Sequence, residues 1–204
     1  MTNDRMKSAY DTIAAEFARQ NNALPPALKS LADNVLALAG AGPRVLDVGC
    51  GAGRDMAWLE AHRAQVTGID LSPGMLAEAK SRVRGALLEM DMRSLDFPDG
   101  SFDVVWSIAS LLHIPKVEAP GVIEEFHRVL RLDGYLVLSL QEGAGEQWES
   151  SYLYPQFAEV ERFFARYSPV EAAELLENCA FSICGRQTDE SNGKGWLSFI
   201  ARRA

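Results

Sequence analysis

Apolar residues recur along the chain with two periods, and the switch between them divides it. Within Met6–Gln20, Tyr10, Ile13, Ala14 and Phe17 fall at helical spacing and predict an amphipathic helix. Asn21, Asn22, Pro25 and Pro26 interrupt that pattern; residues 27–39 predict a second apolar helix, stopped by Gly40, Gly42 and Pro43. From Arg44 onward, short apolar runs alternate with helical stretches. Val45–Val48, Val66–Ile69, Ala86–Met90, Phe102–Ile108 and Tyr135–Leu140 read as buried strands. Helices are expected from a glycine-rich turn to about Ala61, from Ser72-Pro73 to about Val83, and over Val122–Arg131. Ser168-Pro169-Val170-Glu171 has the form of a capping box opening a helix to about Asn178. Phe181–Gln187 and Trp196–Ala201, around the Ser191-Asn192-Gly193 turn, predict two closing strands that can pair antiparallel.

Strands alternating with helices imply right-handed crossovers and a mainly parallel sheet covered on both faces, an α/β fold. The alternation stops after Leu140. Residues 141–157 are polar and aromatic without a period, which predicts a surface loop; the 141–167 segment is expected to be a substrate-facing loop or lid. No repeat divides the chain, so residues 1–204 are expected to form one domain, with residues 1–40 as helices covering the site.

Composition narrows the partners. The chain has 204 residues, 48% hydrophobic, enough to build a core without metal or disulfide help. A formal charge of −8 repels phosphate backbones and disfavours a nucleic-acid substrate. The start lacks a signal-like apolar stretch and no run approaches a membrane span, so a cytoplasmic protein without membrane contact is expected. Cys50, Cys179 and Cys184 form no Cys-x-x-Cys pair, and the three histidines are scattered, so no metal site is expected.

The chemistry is concentrated in residues 44–113. Asp47-Val48-Gly49-Cys50-Gly51-Ala52-Gly53-Arg54-Asp55 takes a buried strand through three alternate glycines into a helix. Dinucleotide folds use similar turns, but they place a small residue where this chain has Arg54. Asp47, just before the first glycine, would repel a pyrophosphate and attract an ammonium. Such a turn suits a zwitterionic amino-acid tail, with backbone N–H groups or Arg54 taking its carboxylate. Asp70 ends the second strand, where an acid can accept ribose hydroxyls. Asp91, after the third, can take an adenine amino proton, with Leu71, Met75 and Met92 around the ring. Three carboxylates from successive strands favour a ligand of net positive charge. Read structurally instead, Asp47, Asp70 and Asp91 could be caps, Met75 and Tyr10 core, and Cys50 a small packed residue.

The stretches VLDVGCGAGRD, GIDLSPGMLAEAK, EMDMRSLDFPDGSFDVVWS and LLHIP, in that order, resemble the successive motifs of class I S-adenosylmethionine-dependent methyltransferases. The resemblance covers roughly Tyr10 to Leu140 and is greatest to small single-domain members. It implies a Rossmann-like three-layer sandwich whose seven-stranded, mostly parallel sheet has its last strand antiparallel. It also implies S-adenosyl-L-methionine as cofactor and S-adenosyl-L-homocysteine as product. By that resemblance Asp47, Gly49 and Gly51 contact the amino-acid end, with Cys50, Gly53 and Arg54 in the same turn. Asp70 binds ribose, Leu71 and Met92 flank adenine, and Asp91 binds its amino group. Ser107 and Ile108 lie beside the methyl group, and Tyr10 closes over the cofactor.

Methyl transfer from a sulfonium needs alignment and desolvation more than an obligatory catalytic residue. His113, in the LLHIP segment, is the one candidate base, with a packing role as the alternative. Trp148, Tyr152, Tyr154, Phe157 and Arg166 are expected to meet the acceptor. Ser107-Ile108-Ala109-Ser110 stands where an Asn-Pro-Pro-Tyr-like element would point to bases or glutamines. A small-molecule acceptor and a monomer or homodimer are therefore expected. The competing readings are a tRNA or protein methyltransferase, a non-catalytic cofactor-binding subunit, and an NAD-linked oxidoreductase.

Overall fold

The computed structural model describes residues 2–150 and 154–204. Nine strands are described: β1 (Arg44–Val48), β2 (Gln65–Asp70), β3 (Leu87–Glu89), β4 (Phe102–Ile108), β5 (Leu130–Gln141), β6 (Glu146–Ser150), β7 (Glu161–Ala165), β8 (Phe181–Ser191) and β9 (Lys194–Arg203). The helices are α1 (Thr2–Gln20), α2 (Pro26–Ala39), α3 (Arg54–Ala61), α4 (Pro73–Ala79), α5 (Ala119–Val129) and α6 (Pro169–Asn178).

Seven strands form one sheet in the order β3-β2-β1-β4-β5-β9-β8. Neighbours from β3 to β5 pair parallel, and β9 slots antiparallel between β5 and β8. The result is the α/β Rossmann-like sheet with its last strand reversed. Side-chain alternation along the strands builds two cores. Val45, Val104, Trp106 and Val137 face α2 and α3, through Leu31, Val35, Met56 and Leu59. Leu46, Val105, Leu136 and Leu138 face α5 and α6, through Ile123, Phe126 and Leu176.

Three elements differ from the periodicity reading. Helix α5 starts at Ala119 and stops at Val129, because Leu130 already pairs with Phe102. The chain then turns at Asp133, held at φ 60°, inside β5. Helix α4 ends at Ala79, short of Val83. The 141–157 segment is not all loop: β6 pairs antiparallel with β7 as a separate two-stranded sheet. Strand β6 is exposed or half-buried along its whole length, so no apolar alternation marks it.

Helix α1 does not pack on the sheet face; it lies across the start of α4. Asp11 Oδ1 accepts the Ser72 hydroxyl at 2.5 Å and the Gly74 N–H at 2.8 Å. A Cβ on Gly74 would sit 3.1 Å from the Asp11 Cα, so glycine permits this approach. The capping serine of α4 is thus tied to the helix that roofs the site. Among the described residues, no helix is long and apolar enough to cross a membrane. Asp11→Ala leaves both donors without an acceptor and should cost about 1–3 kcal/mol. In a chain of this size that lowers the melting temperature by about 2–4 °C per kcal/mol, which differential scanning calorimetry reads directly.

Candidate functional site

The carboxyl ends of β1, β2 and β3 share one edge of the sheet, beside the reversal of strand order between β1 and β4. Ligands of open α/β sheets bind at such reversals. A cavity of about 500 Å³ opens here, with Asp47, the Gly49–Ala52 turn, Arg54, Asp70, Leu71, Met75, Asp91 and Met92 on one side.

Asp47 is 3% exposed. The Met56 N–H, in the first turn of α3, reaches its carboxylate, yet Oδ2 is buried without a partner. Burial first, then the Asp55 carboxylate, push its pKa well above the ordinary value, and Arg54 pulls it down. Asp70 is clamped, accepting the Gly51 N–H at 2.8 Å and the Ser72 N–H at 2.9 Å. Burial nevertheless raises its pKa. Asp91 lines the cavity and already accepts from the Arg93 guanidinium at 2.8 Å and from the amide of Asn3, another lining residue, at 2.5 Å. Met75, only 1% exposed, is both core and cavity wall, beside Ile13 and Ala14 of α1.

The turn uses several of its own donors. The N–H groups of Gly49 and Cys50 both return to the Ile69 carbonyl, at 2.8 and 2.9 Å. These two N–H groups are therefore not available to a ligand carboxylate. Arg54 still lines the cavity, but its Nε binds Asp55 at 2.6 Å, and Asp55 also accepts the Trp106 indole N–H at 2.9 Å. Gly49 has φ 69°, and a Cβ there would lie 2.5 Å from the Ser110 Cβ, so only glycine lets the turn meet the end of β4.

Two expected contacts do not reach the cavity. A Cβ on Gly53 would press on Val83 and Ala79, so this glycine serves the packing of α3 on α4. Ser107 is fully buried and hydrogen-bonded to the Ser110 hydroxyl at 2.8 Å. Ile108 does line the cavity, with Ala109 at φ 53°, Ser110 and His113.

His113 is held at both nitrogens. Nδ1 lies 2.6 Å from the Phe163 carbonyl, which can only accept, so Nδ1 carries the proton. Nε2 is then the bare nitrogen and accepts the Tyr10 hydroxyl at 2.6 Å. Burial, with Arg162 nearby, pushes the pKa down to about 3, against the Phe163 bond. The lone pair that a general base would use is occupied by Tyr10.

The opposite wall comes from β5, β6, β7 and β9 and the segment around Tyr154. Gln141, Glu149, Tyr154, Arg162, Phe164, Lys194 and Trp196 line it. Of the residues expected here, Tyr154 is present. Trp148 is turned away, under the Arg5 guanidinium at 3.8 Å and edge-on to Phe163. Phe157 packs near α1 and does not line the cavity, and Tyr152 lies outside the described residues. Arg166 lies behind the wall, where it binds Glu149 and the Gln141 side chain. Arg162, Lys194 and Trp196 were not anticipated. The one local signal was an arginine followed directly by two phenylalanines in Arg162-Phe163-Phe164.

A methyltransferase-domain family model matches residues 46–138, from β1 into β5. A phosphatidylethanolamine N-methyltransferase of Cereibacter sphaeroides is 42% identical over 104 residues, 48% of this chain and 50% of that protein. A malonyl-[acyl-carrier protein] O-methyltransferase of Laribacter hongkongensis is 34% identical over 149 residues, 66% of this chain and 50% of that protein. The solved 1,6-didemethyltoxoflavin-N1-methyltransferase of Burkholderia thailandensis, with S-adenosylhomocysteine bound, superposes with a TM-score of 0.78. It is 22% identical, over 98% of this chain and 88% of that one, a likeness of fold. The matched segment, residues 46–138, is thus similar to methyltransferase domains, and the fold is that of the solved methyltransferase. The chain spans about half the length of these two curated relatives.

The residues at this site form a set that fits a sulfonium nucleoside. The unpartnered Asp47 oxygen calls for a cation, the clamped Asp70 can still accept hydroxyls, and the Met75 and Met92 walls are apolar. The state of His113 is open to measurement. The unfolded chain binds its proton near pH 6.5, the folded chain only near 3, so this residue favours folding fully above pH 6.5. That contribution is lost as pH falls from 6.5 toward 3. Asp47 and Asp70, which titrate with the opposite sign, are common to wild type and variant and cancel in the comparison. The stability gap between wild type and His113→Gln should narrow on acidification by at most about 1.4 kcal/mol per pH unit, in urea unfolding from pH 7 to 4.5. A gap independent of pH would mean that the histidine is not held neutral.

Proposed function

We propose that this chain transfers a methyl group from S-adenosyl-L-methionine to a small-molecule acceptor. The observation that carries the proposal is the buried, unpartnered Asp47 carboxylate oxygen at the floor of a glycine turn. A carboxylate in that state invites an ammonium and repels a diphosphate, which argues against a dinucleotide and so against an NAD-linked oxidoreductase. In this reading Asp47 holds the amino group, Asp70 accepts ribose hydroxyls, and Leu71, Met75 and Met92 enclose adenine.

When bound, the cofactor supplies a methyl carbon on a sulfonium, open to in-line displacement. The protein's part is to orient the two partners and exclude water, worth ~7–11 kcal/mol in favourable cases. Helix α1 roofs the cavity with Met6, Tyr10 and Phe17, which supports desolvation and a small acceptor. Its volume of about 500 Å³ lies in the ~300–1,000 Å³ range of small-molecule sites. A tRNA or folded protein would need an open groove. His113 is read as a positioning residue for Tyr10; with its lone pair occupied and its pKa near 3, it does not serve as a base for the acceptor. The N- and O-methyltransferase names of the relatives support either kind of nucleophile.

Calorimetry with S-adenosyl-L-methionine, S-adenosyl-L-homocysteine and NAD tests the assignment; the first two should bind and NAD should not. Asp47→Asn should weaken both by at least about tenfold, since each loses a buried charge partner. The same change removes an uncompensated buried carboxylate, so the ligand-free variant should melt a few degrees higher, about 2–4 °C per kcal/mol gained. Binding of NAD with indifference to the sulfonium compound would overturn the proposal.

A further inference from the structure

The half of the cavity away from the three acids carries two cations, Arg162 and Lys194, beside the carboxylates of Glu149 and Asp189, and it is incompletely bonded. Arg162 on β7 is only 8% exposed, yet its Nε is buried without a partner. Its Nη1 donates a 3.5 Å hydrogen bond to the Tyr10 hydroxyl. Three rings surround the guanidinium, Phe164 at 5.3 Å, Tyr154 at 5.5 Å and Tyr10 at 5.6 Å. Among the described residues, no carboxylate pairs with it. The nearby acid, Glu149, is already shared by Arg166 and by Lys194 at 3.7 Å.

A second donor on the same wall is also unsatisfied. The indole Nε1 of Trp196 is buried without a partner, and Trp196 lines the cavity. Lys194 lines it too; burial lowers its pKa, and the neighbouring Arg162 and Arg166 charges add to that shift against Glu149. Buried donors are normally paired, and an unpaired buried guanidinium is costly to keep. Two residues lining one cavity each carry an unpaired donor, one of them charged, and together they call for an acceptor-rich anion.

We infer that the methyl acceptor carries a carboxylate, held at this end of the cavity by Arg162 together with the Trp196 N–H. This rests on the methyltransferase reading for the cofactor, and adds the substrate class. The guanidinium fork matches a planar carboxylate, and the surrounding rings suit an apolar body attached to it. A phosphate dianion fits less well, because Glu149 and the exposed Asp189 line the same side and would oppose the second charge. The hydroxyl of Tyr10 links the two halves: it donates to His113 Nε2 and accepts from Arg162. The anion is thereby anchored next to the segment after β4, where the reacting group belongs.

The test uses phenylacetate, its neutral counterpart phenylacetamide, and inorganic phosphate, by calorimetry on the whole chain with and without S-adenosyl-L-homocysteine. Phenylacetate should bind at least about tenfold more tightly than the amide, as a charge-assisted pair does over a neutral one. Arg162→Met should erase that preference while S-adenosyl-L-homocysteine affinity stays within about threefold, which also shows that the variant folds. If Arg162→Met does not fold, Arg162→Gln, neutral and polar, serves the same comparison. Trp196→Phe keeps the ring, removes the N–H, and should weaken phenylacetate severalfold. Equal binding of acid and amide, a preference that survives loss of Arg162, or tighter binding of phosphate would each overturn the inference. Failure of S-adenosyl-L-homocysteine to bind the wild type would instead sink the cofactor reading, and the phenylacetate arm without it would still report on Arg162.

Discussion

The desolvation of Asp47 is the constraint around which the rest is arranged. A carboxylate is strongly penalised inside protein, and this one lies at the end of a central strand with one oxygen unanswered. The fold tolerates it through the Met56 N–H at the start of α3 and the nearby Arg54 charge. To place α3 there, the chain must reverse within a few residues of β1, which requires the left-handed glycines. Their tight course brings Gly51 to Asp70 and Gly49 to Ser110. The cost of one buried acid is thus linked to the positions of β2, α3 and the end of β4.

A second polarity balances the first. Acids gather where β1, β2 and β3 end, while unpaired donors gather on β7 and β9 across the cavity. Between them stands a fixed hydrogen-bond line from the Phe163 carbonyl through His113 to Tyr10. That line runs in one direction, each donor meeting one acceptor, and it leaves the imidazole neutral. Shape and field cooperate here: a zwitterion with an extra cation suits one end, an anion the other.

The legible part of this molecule was local. Strand period, glycine turn and Asp47 adjoin in the sequence, and Asp70 ends the very next strand, so their meaning survives in the linear order. The closing strands were legible as a pair for the same reason. The opposite wall was not. Arg162, Lys194 and Trp196 meet only because the β6–β7 ribbon folds back over the sheet and β9 inserts between β5 and β8. Nothing in Glu146–Ser150 alternates, since water meets both of its faces. Arg166 and Trp148 have the residue types of a binding site, but their partners Glu149, Gln141 and Arg5 come from other segments and draw them away.

The β6–β7 ribbon supplies two things at once: the Phe163 carbonyl that fixes the imidazole, and the Arg162 side chain one residue before it. Neighbouring residues of one strand cannot drift independently. Divergence of this ribbon among descendants of the fold would therefore retune the guest and the roof together, and a graft from a cousin would have to carry both Arg162 and Phe163 as a unit with a matching helix α1.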